Sequence, residues 1–337
     1  MATIVDVAAL AGVSTATVSR VLNGKNVRAD LAEAVHHAAA ELGYTPDRTA
    51  RSLRRRHSDV IALVLPDIEN PFFTSLARGV EDVAQEAGLS VVLCNTDEDA
   101  AKEEKYLAIA DSENMAGVLR APATAAPNLQ MLLDRGRAVV VLDRAVDAPV
   151  DQVLFDNVEL GRRVTSELVG RGHRRVACIS GPAGTSTADD RADGWRRALV
   201  EAGLDVDERL LVRSSFRVDG GRRAMLELLA RDRPPEAVVA TNNLVGVGAL
   251  QVLAAHGGAG PGGEAGPDVG VIGDLPFATS RTDDLVVLAL GPRTMGVTAA
   301  RLLIERINGL TEPPRTVVAA AATSEGPEGR AHARQGF

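Results

Sequence analysis

Aromatic side chains make up only 3% of this sequence of 337 residues, so the places where they stand beside charged groups are informative. Asn70-Pro71-Phe72-Phe73 follows one apolar run, Asp143-Arg144 follows another, Asp156-Asn157 lies a little further on, and Arg191 precedes Trp195 by four residues, with Phe216 beyond it. A ring face with carboxylate and guanidinium groups around it suits a sugar or a nucleobase, which can stack on the ring while its polar groups meet the charges. This is binding chemistry. No Walker loop, dinucleotide fingerprint after a strand, zinc spacing or nucleophile elbow is present. His36, His37, His57, His173, His256 and His332 are scattered and fit solvated or capping roles. No catalytic residue, metal ligand or cofactor is expected, and the chain does not read as an enzyme.

Such groups need rigid elements to hold them. From Asp59 onward, short β-branched or aliphatic runs alternate with helical patterns: Val60–Leu65, Val91–Leu93, Val118–Leu119, Val139–Leu142, Val176–Ile179, Val238–Ala240 and Val269–Ile272. The alternation predicts parallel sheets flanked by helices, an α/β class. Ligands of open parallel sheets sit beyond the carboxyl ends of the strands, where the quoted motifs fall. The length exceeds one ordinary core, so two or three domains are expected. With 45% hydrophobic and 24% charged residues the composition is globular. No stretch approaches the roughly 20 apolar residues of a membrane span. The N-terminal MATIVDVAAL lacks the basic segment and cleavage site of a secretion signal, so a cytoplasmic protein is expected. Cys94 and Cys178 sit in apolar runs and read as buried thiols.

Charge divides the chain. Residues 1–57 carry eight Lys/Arg against five acids, a net +3, so the rest of this −8 chain is −11. A basic end on an acidic body suits a protein whose one end meets phosphates. That end is also helical in pattern. Thr3 and Asp6 open a first helix, about Ile4 to Ala11, like a capping box, and Gly12 permits a tight turn. Ser14 caps a second helix, about Thr15 to Leu22, ended by Asn23-Gly24, and a third covers about Asp30 to Leu42. Val18, Val21, Leu22, Leu31, Val35 and Leu42 can pack with the first helix. The arrangement matches the helix-turn-helix plan, whose second helix lies in the DNA major groove; by spacing alone it also fits a plain Ala-rich three-helix bundle.

The run TIVDVAALAGVSTATVSRVLNG, followed by ELGYTPDRTARSLR, resembles the head and hinge of the lac repressor/galactose repressor (LacI/GalR) family of transcriptional regulators, and the resemblance extends more loosely over nearly the whole chain. It implies an all-α helix-turn-helix head over 1–45, a hinge helix over 46–57, and a two-lobed core over 58–337 that resembles periplasmic binding proteins. Lobe one would hold about 58–156 and 292–318, lobe two about 157–290 and 319–337. Crossovers would lie near Phe155–Val158, Leu290–Pro292 and Val317–Ala320.

The family's base-reading positions fall on Thr15, Ala16 and Arg20. Arg20 can fork onto guanine O6 and N7, Ala16 can touch a thymine methyl, and Thr15 can do either. Ser14, Thr17, Ser19 and Asn23 offer polar groups for phosphates, which fix register without reading sequence. In the hinge, Ala50 and Leu53 share a face, and Leu53 stands where relatives wedge a leucine between base steps in the minor groove. A helix that short is expected to form only when paired with its partner on DNA. The implied effector-facing set is Phe72, Phe73, Asp143, Arg191, Trp195, Phe216, Asn243 and Asp274. Implied partners are a pseudo-palindromic double-stranded operator, a second copy of the chain, and a small-molecule effector, a sugar or sugar derivative, with no membrane.

The chain departs from the family pattern in places. Val271-Ile272-Gly273-Asp274-Leu275-Pro276 stands where relatives have two further residues, Asn242-Asn243 replaces Asn-Asp, Gly291-Pro292 replaces Gln-Pro, and Ala319–Phe337 lacks the usual closing strand pattern. Gly257–Pro267 reads as a lengthened Gly/Pro/Ala loop. The tail shows no leucine heptads of the kind that tie dimers into tetramers, so a dimer is expected.

Overall fold

The computed structural model describes residues 2–22, 26–44, 58–123, 129–256, 266–275 and 284–321. The chain divides into two units, Met1–Ser58 and Asp59–Phe337.

Among the described residues the first unit holds three helices, α1 (Ile4–Ala11), α2 (Thr15–Leu22) and α3 (Ala29–Glu41). Thr3 Oγ1 accepts from Asp6 N at 3.4 Å while the Asp6 carboxylate accepts from Thr3 N at 2.8 Å, the reciprocal capping expected from the sequence. Gly12 ends α1 with φ 65°, a left-handed turn that costs glycine little. Val7, Ala8, Val18, Val21, Val35, Ala38 and Ala39 form the small buried core.

The second unit holds two all-parallel sheets. The first contains β1 (Val60–Leu65), β2 (Ser90–Asn95), β3 (Gly117–Arg120), β4 (Ala138–Leu142), β5 (Asp151–Leu154) and β11 (Thr316–Val318), in the order β11-β5-β4-β3-β1-β2. The second contains β6 (Val176–Ser180), β7 (Leu211–Arg213), β8 (Ala237–Ala240), β9 (Asp268–Ile272) and β10 (Leu285–Leu288), in the order β10-β9-β8-β6-β7. In each sheet the order reverses beside one strand, β1 in the first and β6 in the second, which leaves a crevice at the carboxyl edge. Helices α4 (Pro71–Glu86), α5 (Ala100–Ser112), α6 (Gln130–Asp134) and α11 (Pro292–Ile307) belong with the first sheet; α7 (Asn157–Gly170), α8 (Ser186–Glu201), α9 (Val218–Leu229) and α10 (Asn243–Ala255) belong with the second.

Three helix pairs cross in contact at paired glycines: Gly79 with Gly296, Gly161 with Gly194, and Gly221 with Gly248. A Cβ at Gly194 would lie 2.1 Å from the Val158 carbonyl oxygen, and one at Gly161 2.1 Å from that of Arg191. The α7–α8 crossing therefore sets how closely Arg191 approaches α7.

The chain passes between the sheets after β5, where Asp156 caps α7, and again between β10 and α11, at the first two places expected. The third stretch differs. Val317 and Val318 belong to β11, and Ala319 N still donates to Leu154 O of β5 at 2.7 Å, so the expected crossover is occupied by an edge strand of the first lobe. The residues expected to return to lobe two beyond Ala321, and the hinge over 46–57, lie outside the described residues. Cys94 and Cys178 are buried free thiols, as expected.

Candidate functional site

On α2, Val18 and Val21 are buried against the small core, which turns the other side of the helix outward. Thr15, Ala16 and Arg20 are exposed there, with Ala16 and Arg20 one turn apart. Ser14 Oγ accepts from Thr17 N at 3.2 Å and lies 3.0 Å from Thr17 Oγ1, so these two hydroxyls serve the start of α2 while the exposed Ser14 keeps acceptor capacity toward solvent. Ser19 is half-buried. Asn23, Ala50 and Leu53 lie outside the described residues.

In the second unit, the carboxyl edges of the two sheets meet around a narrow cavity with about 50 Å³ of free space. Residues following β1, β4 and β8 line it (Asp67 and Asn70, Asp143 and Arg144, Asn242 and Asn243), with Arg191 and Thr187 entering from α8 and the rings of Phe72, Phe73 and Phe216 beside them. Aromatic and charged groups that are scattered along the chain thus meet at one place in space.

Arg191 is buried, and two of its nitrogens are held by protein oxygens: Nε donates to Asn157 Oδ1 at 2.8 Å and Nη1 to the Thr241 carbonyl at 2.6 Å. Nη2, with no hydrogen-bond partner among the described residues, is the donor left for a ligand. Burial pulls the Arg191 pKa down to about 10, with the nearby Asp143 carboxylate opposing that fall. The group remains a cation at neutral pH.

Asp143 follows β4 with φ 63°, a left-handed backbone unusual for a residue with a Cβ. Its backbone N donates to Val153 O at 3.0 Å, which holds the turn against β5. The side chain is buried, lines the cavity and accepts no hydrogen bond among the described residues. Burial raises its pKa above the ordinary carboxylate value, and Arg191 and Arg144 pull the other way. A strained, desolvated carboxylate without a partner marks a functional position.

Arg144 is fixed rather than free. Its Nη1 and Nη2 fork onto Glu98 at 2.6 Å each, Nη1 also reaches Pro122 O at 3.0 Å, and its Cζ sits 5.8 Å from the Phe216 ring centre. Burial works against this cation, and the Glu98 carboxylate more than offsets it, so the Arg144 pKa is raised. Phe216 occupies a slot that exists because residue 181 is glycine: a Cβ there would come within 2.2 Å of the ring. Across the mouth, Arg217 of lobe two reaches Glu69 at 3.1 Å and Asp67 at 3.5 Å in lobe one.

Of the eight effector-facing residues expected, Phe72, Phe73, Asp143, Arg191, Phe216 and Asn243 line the cavity. Trp195 does not. It is fully buried, and its indole N–H donates to Val176 O at 3.1 Å, at the amino end of β6, whereas the cavity is built from carboxyl ends. It shares a helix face with Arg191 but lies one turn further from the crevice. Asp274 is displaced as well: Gly273 lines the cavity, while Asp274 faces a neighbouring one. Asp67, Glu98, Thr187 and Asn242 are cavity residues that sequence reasoning missed. For Glu98, the acidic run after β2 in Asn95-Thr96-Asp97-Glu98 was an available signal, and Asp97 and Glu98 are both left-handed, at φ 53° and 62°.

Comparison with known proteins agrees with this geometry. Residues 3–47 match the family model for bacterial regulatory proteins of the lacI family, and residues 58–324 match that for periplasmic binding proteins and the sugar binding domain of the LacI family. The chain is 37% identical over 325 residues to the HTH-type transcriptional regulator CelR of Thermobifida fusca, covering 93% of this chain and 94% of the relative. It is 34% identical over 313 residues to the ribose operon repressor of Escherichia coli K12, covering 91% and 93%. Among solved structures, a transcriptional regulator CelR–cellobiose complex superposes with TM-score 0.69 at 33% identity, covering 96% and 98%. The lac repressor dimer bound to operator superposes with TM-score 0.78 at 21% identity, covering 96% and 99%, which is a likeness of fold. With a helix-turn-helix head and a two-lobed ligand-binding core both matched, the chain belongs to the LacI family of bacterial DNA-binding transcriptional regulators.

Proposed function

We propose that this protein is a dimeric, cytoplasmic, non-enzymatic repressor whose affinity for a pseudo-palindromic operator is set by a saccharide bound between the lobes. The observation that carries the effector assignment is the pairing of a donor with an acceptor across one cavity: the uncommitted Nη2 of Arg191 and the unpartnered Asp143 carboxylate, with aromatic rings beside them. Vicinal hydroxyls can accept from the first and donate to the second while the ring stacks. A relative 33% identical has been solved with cellobiose, which supports the ligand class. On the DNA side, Thr15, Ala16 and Arg20 would read bases, Ser14, Thr17, Ser19 and Asn23 would meet phosphates, and Ala50 and Leu53 would enter the minor groove from the paired hinge helices.

A ligand changes DNA affinity only through unequal affinity for the DNA-competent and incompetent arrangements of the lobes. A tenfold change in operator affinity requires about 1.4 kcal/mol of such coupling, within the reach of one clamped arginine. Selecting the operator from random DNA and titrating saccharides into the complex, read by gel shift, tests both halves. A saccharide that changes operator affinity tenfold or more supports the reading. Saccharides that bind without moving DNA affinity, or that do not bind, overturn the effector half.

A further inference from the structure

The free space of the cleft is about 50 Å³, room for roughly three to five water molecules. That is fewer atoms than one sugar ring carries with its hydroxyls. The lobes must therefore part before a saccharide enters, and whatever holds them together sets how often that happens.

One short segment of lobe one, Asp67-Ile68-Glu69-Asn70 between β1 and α4, grips lobe two. Asn70 accepts the buried hydrogen bond from Asn243 at 2.9 Å, while Glu69 and Asp67 meet Arg217 at 3.1 and 3.5 Å. No other ion pair among the described residues crosses between the lobes. Both sides of this contact are braced. Glu69 N donates to Asp67 Oδ1 at 2.9 Å and Ile68 N to Asn95 Oδ1 at 3.2 Å, which fixes the segment against the end of β2. Opposite, Asn242 Nδ2 donates to Phe216 O at 3.2 Å and Gly221 N to Arg217 O at 3.1 Å, so the backbone around Arg217 is held at the start of α9. A third carboxylate, Asp97, lies within the field of the Arg217 charge. The Arg217 side chain is 46% exposed and that of Glu69 79%, against 11% for Asp67. Exposed ion pairs of this kind shift an equilibrium by up to about fivefold and weaken as salt screens them. That is enough to hold a closed cleft and little enough to release it.

We infer that Arg217 is a clasp across the mouth of the cleft, a positioning residue whose grip on Asp67 and Glu69 holds the lobes closed and sets how fast an effector enters and leaves. The neutral, buried bond from Asn243 to Asn70 aligns the lobes, and the ion pair supplies the salt-sensitive part of closure. The consequence for the effector rests on the saccharide reading above; the clasp itself does not, and it is tested without a ligand.

A thiol placed inside the cleft reads the opening. Thr187 lines the cavity and is 3% exposed. In full-chain Thr187→Cys the new thiol should react with iodoacetamide, a neutral probe, only while the lobes are apart; the buried Cys94 and Cys178 give the background, read in the chain without the substitution. In low salt, adding Arg217→Ala should speed alkylation about two- to fivefold. Arg217→Glu, which repels the three carboxylates, should speed it more. Salt at about 1 M, where the screening length is about 3 Å, should bring the parent toward the rate of Arg217→Ala. Combining Arg217→Glu with Glu69→Arg should slow alkylation again. Small-angle scattering on the chain with its native Thr187 reads the same opening independently, as a larger radius of gyration for Arg217→Glu than for wild type. Alkylation of Arg217→Glu at the parent rate, a charge exchange that stays as fast as Arg217→Glu alone, or equal radii of gyration overturns the clasp and leaves the saccharide reading standing.

Discussion

The side-chain amide of Asn243 donates to Oδ1 of Asn70 at 2.9 Å, joining residues 173 positions apart at the first turns of helices from opposite lobes. Asn70 also accepts from Phe72 N at 3.0 Å as the cap of α4, so one oxygen organises an aromatic ring and a contact between the lobes. Asn70→Ala removes both. The expected outcome is a loss of about 1 kcal/mol or somewhat more in stability from the cap, together with weaker saccharide binding. A variant that loses stability and retains full affinity would show that the contact does not position the site.

Arg191 is the principal charged contact assigned to the effector. Arg191→Ala leaves Asn157 and the Thr241 carbonyl without their donor, so it should destabilise the protein, and Arg191→Lys, which keeps the charge and loses the fork, provides the control. Both should bind operator and lose the saccharide response. Calorimetry alongside gel shift separates the cases: a well-folded variant with undiminished ligand affinity contradicts the assignment.

Asp143 gives the effector site a pH dependence. Its pKa is raised by burial, and the ionised form is the one that accepts hydroxyl donors. As pH falls through that raised value the acceptor is lost, so affinity should decline at a pH above the ordinary carboxylate range. Asp143→Asn should flatten the profile. An affinity constant down to the ordinary range would remove Asp143 from ligand contact.

The helix pairs make a prediction about packing. Gly194→Ala places a Cβ 2.1 Å from the Val158 carbonyl oxygen and must push α7 and α8 apart, costing about 1–3 kcal/mol. Gly170→Ala, at the end of α7 with nothing within 4 Å, should be neutral or stabilising by up to about 1 kcal/mol. Equal melting temperatures for the two variants would contradict the close crossing. Because Gly161 touches the backbone of Arg191 at the same crossing, Gly194→Ala should weaken saccharide binding as well.

Arg20 tests the head. Arg20→Ala should cost about 1–3 kcal/mol in specific binding and relax preference at one guanine in each half-site, leaving non-specific, salt-sensitive binding nearly intact. A selection that returns an unchanged operator with the variant would remove Arg20 from base reading.

The head was legible in the sequence to the residue for α1 and α2, because local signals coincide there: a capping pair, apolar spacing and a glycine turn at Gly12. The long apolar strands of both sheets were legible for the same reason. The short strands were not. Asp151–Leu154 has polar residues at two of its four positions and Leu211–Arg213 is three residues long, so neither shows a period, and their place comes from pairing with neighbours far along the chain. The site residues at strand ends were found where a ring stood beside a charge. Trp195 misled because helical spacing gives a shared face without giving depth along the helix, and Asp274 because consecutive residues after β9 line different cavities, which spacing along the chain does not show.

The central proposal is a coupling between sequence-specific DNA binding and a saccharide in the cleft. Fluorescence anisotropy on a selected operator, with and without a saccharide that calorimetry shows to bind, reads that coupling directly, with Arg191→Lys in parallel. Operator binding should be in the nanomolar range and weaken steeply with salt. It should shift at least tenfold when the saccharide is added to wild type, and stay where it is in the variant. Tight saccharide binding with identical anisotropy curves for wild type in its presence and absence would contradict the coupling.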